Sequence, residues 1–187
     1  MYSKQKQDLD LIQEMILTAR REVNENGFMF MLWGWLVFVA ALGNFLLLMI
    51  NYEHSYVPWV LMPVGGIITA IYVTRQKKQT HVKTHIDRVM GHLWLACCVV
   101  MAIVMLAADR MEAVFLPCMM LIYGIGTYVT GGALKFKPLR YGGIACWLLA
   151  AAAFFSPYSM QLLLIAAAIL FSYIIPGHIL RKNYNHV

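Results

Sequence analysis

Six long apolar runs dominate the sequence, at about 28–50, 57–74, 92–108, 113–131, 139–155 and 160–180. Arg140, at the edge of the fifth, is the only formal charge they contain. Each run approaches the roughly 20 residues a helix needs to cross a bilayer core about 30 Å thick. Composition agrees: 61% of residues are apolar and 13% are charged, about half the charged share of a typical soluble domain. No alternating pattern of barrel strands is present, so helices are the expected spanning element. The third and fifth runs are short and are expected to begin inside their basic flanks.

Loop charge sets the expected orientation. Lys4, Lys6, Arg20 and Arg21 precede the first run, and Arg75, Lys77, Lys78, Lys83 and Arg88 lie between the second and third. Lys135, Lys137 and Arg140 lie between the fourth and fifth, and Arg181 and Lys182 follow the sixth. These are 14 of the 15 basic residues; the other side keeps only Arg110. Both termini are therefore expected in the cytoplasm. No cleavable signal is expected, because a charged segment precedes the first run, which is itself long enough to stay as an anchor. The formal charge of +6 reads as insertion signal and contact with anionic headgroups, with no nucleic acid implied.

The expected fold is an all-α integral membrane protein of six transmembrane helices arranged as three hairpins. Residues 1–27 precede it as a cytoplasmic amphipathic helix, 28–180 form the membrane domain, and 181–187 are a cytoplasmic tail. The outer loops, about 51–56, 109–112 and 156–159, are too small for an external domain. Glu53 and His54 lie on one of them; Asp109, Arg110 and Glu112 on another are expected to cap helix ends.

A weak threefold repeat is suggested by Trp33, Trp94 and Trp147 near the starts of the odd helices and by Tyr72, Tyr128 and Tyr173 near the ends of the even ones. Interfacial aromatic belts produce the same pattern in any bundle. Gly65, Gly66, Thr69 and Ala70, then Gly124, Thr127 and Gly131, then Ala168 and Ser172 are small residues at close helical spacing, expected to bring helices together within one chain. Ala150, Ala151, Ala152 and Ala153 add to them in the fifth run. Pro63 and Pro117 are expected to bend their helices.

Intramembrane carboxylates, lysines and arginines usually mark proton relays and ion paths; here none lies deep in a run. No nucleophile elbow, zinc-protease helix or phosphate-binding lysine loop occurs. An enzyme would need its acid–base groups at the membrane edge, and no catalytic residue or cofactor is expected. Asn44 is the one deep amide, and interhelical locking is its favoured role. Asn44, Trp59, Tyr123 and Tyr128 are the candidates to line a ligand cavity. His81, His85, Arg88 and His92 fall on one helical stripe at steps of four, three and four. His81 and His85 have the spacing for a shared metal ion, Arg88 and His92 for an anion or headgroup, and all four also read as an exposed basic stripe. His92 lies roughly 10 Å along the axis from His85, too far to join that pair. Cys97, Cys98, Cys118 and Cys146 all fall inside runs and are expected to pack as free thiols.

Leu9, Ile12, Ile16, Ala19 and Val23 recur at steps of three and four, a heptad-like stripe. The segment carries Lys4, Lys6, Arg20 and Arg21 against Asp8, Asp10, Glu14, Glu22 and Glu25, unsuited to anionic lipid. Its apolar face is expected to meet the protein's own cytoplasmic surface, a second copy, or a soluble partner.

The segments MLWGWLVFVAALGNFLLL, VLMPVGGIITAIY and VKTHIDRVMGHLW, mainly within 28–95, resemble an uncharacterised family of short six-span bacterial inner-membrane proteins with no established activity. The resemblance implies a bacterial cytoplasmic membrane and assigns no site. Three functional readings follow: a non-enzymatic interaction or membrane-sensing module, which is favoured; a small-molecule or lipid binding or transport unit; and an enzyme on lipid or at a metal, which would depend on His81, His85 and His92. The second is similar in size and parity to the substrate-binding subunits of energy-coupling-factor vitamin transporters, an analogy of architecture alone.

Overall fold

The computed structural model describes residues 27–76 and 85–179, with the side chains of all but Gln76, His85, Ile86, Asp87 and Glu112. Among the described residues every regular element is helical. Helix α1 runs Gly27–Met49. A 3-10 turn, Val57–Val60, leads into α2, Leu61–Gln76. Helix α3 is His85–Leu106. Short helical turns at Ala108–Met111 and Glu112–Val114 connect it to α4, Phe115–Ala133. Helix α5 is Lys137–Ala153 and α6 is Tyr158–Ile179, with a π-turn at Leu170–Ile174.

Among the described residues, five helical segments are long and apolar enough to cross a membrane: Gly27–Met49, Val57–Arg75, Arg88–Leu106, Phe115–Ala133 and Tyr158–Ile179. This is one fewer than the apolar runs. The exception is α5, at 17 residues with Lys137 and Arg140 near its start. Both short runs do extend into their basic flanks, α3 being helical from the first described residue, His85, and α5 from Lys137.

Successive helices alternate in direction. The start of α1 meets the end of α6, where a Cβ on Gly34 would lie 3.0 Å from Tyr173 and Ile174. Its far end meets Pro58 and Tyr158. The core belongs to α4 and α6, whose most apolar 18-residue stretches are 56% buried, against 28% for α1 and 6% each for the second and third spans. Helix α5 is wedged between the two core helices. Its neighbouring Gly142 and Gly143, about 100° apart around the axis, each face one of them. A Cβ on Gly142 would fall 2.7 Å from the Cα of Ser172 on α6, and one on Gly143 2.8 Å from the Cβ of Tyr128 on α4. The tight α4–α5 contact joins what the sequence suggested as separate hairpins.

The expected threefold repeat reduces to a likeness between the first two hairpins. Trp33 lies against Gly65 and donates through Nε1 to Thr69 Oγ1 at 3.1 Å. Trp94 lies on Gly126, four residues before Thr130. Trp147 instead packs on Gly124 of the preceding helix and donates to the Leu121 carbonyl at 3.2 Å. The three tyrosines are not equivalent: Tyr72 meets Phe28, Tyr128 meets Trp147, and Tyr173 is in the core.

The proline expectation also changes. Pro63 and Pro117 are each the third residue of their α-helix, where the missing N–H removes no α-helical hydrogen bond. The interior proline is Pro176 in α6, two residues after the π-turn, which loosens the helix where the ring would crowd the preceding turn.

Replacing Gly142 by Val is expected to cost about 1–3 kcal/mol through overpacking and to lower the thermal unfolding midpoint in detergent. Gly132→Ala, where a Cβ meets nothing within 4 Å, should leave that midpoint unchanged or raise it. Equal midpoints for the two variants would contradict the wedge.

Candidate functional site

Polar groups gather at four places. The first joins α1, the loop after it, and α6. Asn44 is buried. With its amide oxygen turned toward Trp59 and Tyr158, it accepts from Trp59 Nε1 at 2.8 Å and from the Tyr158 hydroxyl at 2.9 Å, while its nitrogen donates to the Ser55 carbonyl at 3.0 Å. The reverse orientation keeps only an N–H donated to the Tyr158 hydroxyl, also at 2.9 Å. The first satisfies both ends of the amide and is preferred.

The second centres on Gln161, which the sequence reading missed. Its nitrogen lies 2.7 Å from the Ala113 carbonyl, 3.0 Å from that of Ser156 and 3.1 Å from that of Ala153. It thereby serves carbonyls at and just beyond the end of α5 and ties them to the turn before α4. Its Oε1 is buried without a partner among the described residues. The available signal was a lone amide at the start of an apolar run, beside the small loop at about 156–159.

The third is the core around the π-turn. Tyr173 packs against Phe30 and Tyr123 at centroid distances of 5.2 and 5.9 Å. Nearby hydroxyls are spent on their own helices: Thr127 donates to the Tyr123 carbonyl, Thr130 to Gly126 and Ser172 to Ala168, at 2.6–2.7 Å. The Cys146 thiol donates to the Met120 carbonyl at 3.2 Å. The Tyr173 hydroxyl is buried and finds no partner of good geometry among the described residues.

The fourth lies outside, at the α4–α5 turn. The Arg140 guanidinium sits over the Tyr128 ring, 5.8 Å from its centroid, and Tyr128 packs against Trp147 at 5.3 Å. Lys135, Lys137 and Arg140 are all exposed.

The four candidate ligand residues therefore do not converge on one place. Asn44 and Trp59 share the first site, Tyr123 belongs to the core, and Tyr128 lies at the α4–α5 surface. His92 Nδ1 is 2.7 Å from the Arg88 carbonyl, which fixes its proton there and leaves Nε2 as the free ring nitrogen; Arg88 itself is exposed. His81 and the His85 side chain lie outside the described residues, as do Leu9, Ile12, Ile16, Ala19 and Val23. Among the described residues no three His, Cys, Asp or Glu side chains gather as a metal site, and all four cysteines are free thiols.

Comparison with known proteins yields no match to a protein-family model, a curated protein or a solved structure.

If Asn44 locks the bundle, a double-mutant cycle of Asn44→Ala with Tyr158→Phe should give a coupling of about 0.6–1.7 kcal/mol in detergent unfolding, the range for interhelical hydrogen bonds in membrane proteins. Additive effects would remove the lock.

Proposed function

We propose that the chain is a non-enzymatic six-span protein of a bacterial cytoplasmic membrane, with both termini in the cytoplasm. It acts as an interaction or membrane-sensing module through its cytoplasmic face. The observation that carries this reading is the direction in which its polar groups are spent. Inside, Thr127, Thr130, Ser172 and the Gln161 nitrogen engage the main chain, and Asn44 engages the Ser55 carbonyl and the side chains of Trp59 and Tyr158. Outside, Arg75, Arg88, Lys135, Lys137 and Arg140 are exposed together at one end. A chain organised for intramembrane chemistry would leave reactive groups free within.

As a sixth span, α5 rises about 26 Å, a few ångströms short of the hydrocarbon core. Phe154 and Phe155, the latter 93% exposed, prolong its apolar surface beyond Ala153. Lys137 and Arg140 have stems long enough to reach the interface. The basic end then faces the cytoplasm, the side on which the acidic, amphipathic segment 1–26 would meet its partner.

A second reading, a binding or transport unit for a small molecule or lipid, is favoured by the buried Tyr173 hydroxyl, which has no partner of good geometry among the described residues, within its aromatic surround. Native mass spectrometry of gently extracted protein separates the two. A stoichiometric partner or defined oligomer supports the module, whereas a single chain with a discrete small mass supports the carrier. For the module, deletion of residues 1–26 is expected to abolish the complex while helicity by circular dichroism is retained in residues 27–187. An unchanged complex would sink it.

A further inference from the structure

We propose that the α4–α5 turn holds the phosphodiester headgroup of an anionic phospholipid, with Lys135, Lys137 and Arg140 as its cationic ligands. The inference rests on the orientation proposed above, which puts this turn in the cytoplasmic headgroup layer.

The first observation is a lysine where a glycine would fit better. Helix α4 closes with a Schellman motif: Phe136 N–H bonds the Gly131 carbonyl at 2.9 Å and Lys135 N–H that of Gly132 at 3.1 Å. The residue that must turn left-handed is Lys135, with φ of 52°. Glycine takes this conformation without steric cost, and asparagine tolerates it. Helix α1 closes by the same two bonds, Tyr52 to Leu47 and Asn51 to Leu48, and there the left-handed residue is an asparagine, Asn51. A lysine at the α4 position bears a backbone cost that its side chain must offset.

The second observation is that Arg140 is already oriented. Its stem crosses α4 at Gly131, where a Cβ would come within 2.9 Å of the Arg140 Cγ. Its guanidinium rests on Tyr128, Tyr128 on Trp147, and the Trp147 indole is tied to the Leu121 carbonyl. A planar fork held in this way loses little entropy on binding phosphate oxygens in pairs.

The third is charge without a partner. No ion pair forms at Lys135, Lys137 or Arg140 among the described residues, and the first turn of α5 contains no acid. Its N-cap, Phe136, offers no side-chain acceptor to the free N–H groups, which adds to the positive field.

The surface below the cations selects a lipid over free phosphate. Along α5, Ile144 and Leu148 are 40% and 69% exposed, and along α4, Ile125 and Val129 are 45% and 38% exposed. These two apolar faces run away from the turn into the membrane-spanning region, one on either side of the α4–α5 contact. They offer acyl chains a surface beneath a held headgroup.

The test uses the full chain in nanodiscs of equal phosphatidylglycerol and phosphatidylcholine, with retained lipids counted by native mass spectrometry. Phosphatidylglycerol should be retained in preference, and inorganic phosphate should not displace it. Lys135→Gly should lower the preference about fivefold, the effect of one basic residue at an anionic surface, while leaving the unfolding midpoint unchanged or higher because the left-handed strain is relieved. Arg140→Gln should lower it similarly. An unchanged preference in both variants would overturn the proposal, as would displacement by inorganic phosphate. So would a preference that appears only after residues 1–26 are deleted, since an acidic segment of the chain would then be the occupant. The orientation is read separately, by labelling Lys135→Cys with a membrane-impermeant maleimide in intact cells. Labelling from outside would refute the topology, whatever lipid is retained.

Discussion

Helix α5 meets its two core neighbours through Gly142 and Gly143, and its other contacts follow from that approach. Lipid tails are as apolar as leucine, so helices in a membrane gain little from hiding apolar side chains and must gain from intimate packing instead. Two adjacent glycines let α5 meet backbone on both flanks, Ser172 of α6 on one side and Tyr128 of α4 on the other. That contact draws Cys146 to the Met120 carbonyl and Trp147 to the Leu121 carbonyl. It also sets Arg140 over Tyr128. The exposed basic turn is therefore fixed by the same glycines that organise the core.

Away from this wedge the bundle is secured by amides. Asn44 ties α1 to the Ser55–Trp59 segment and to Tyr158, and Gln161 ties the ends of α5 to the turn before α4. Both sit toward the end opposite Lys135, where α1 and α5 close and α2, α4 and α6 begin. In a medium without water, carbonyls at helix ends must find donors from the protein, and a carboxamide supplies two hydrogens from one side chain. The two ends are thus built differently, one from amides and small loops, the other from glycines, aromatics and cations.

Much of the helical framework was legible because span length and hydropathy are local properties. That α3 and α5 extend into their basic flanks followed from run length alone. Partner choice was less legible because it depends on which face of a helix meets which neighbour. Trp147 resembles Trp33 and Trp94 in sequence, yet packs backward onto α4 because Gly124 admits it. Pro63 and Pro117 looked like interior kinks only while the helix starts were unknown; the turns at Val57–Val60 and Glu112–Val114 put both in a first turn. Asn44 stood out as an amide deep in an apolar run. Gln161 did not, because at a run's edge an amide looks solvated, and only the fold shows it buried beneath the end of α5.

The division of labour among the helices bears on function. The most apolar stretches of α4 and α6 are more than half buried, while α2 and α3 contribute little to the core. Apolar surface on α2 and α3 needs no protein partner in a bilayer, because lipid covers it at no cost. Cations are different. An arginine on a tyrosine ring and a lysine in a left-handed turn are stable without an acid beside them only where water or anions supply the missing contacts. Their place at the turn between the two most tightly joined helices means that whatever binds there meets the rigid part of the molecule. A ligand at α2 or α3 would meet helices with few internal contacts, whereas one at Lys135 and Arg140 bears directly on the α4–α5 packing. Among the described surfaces, this is the place from which a binding event at the membrane surface would reach the core by the shortest mechanical route.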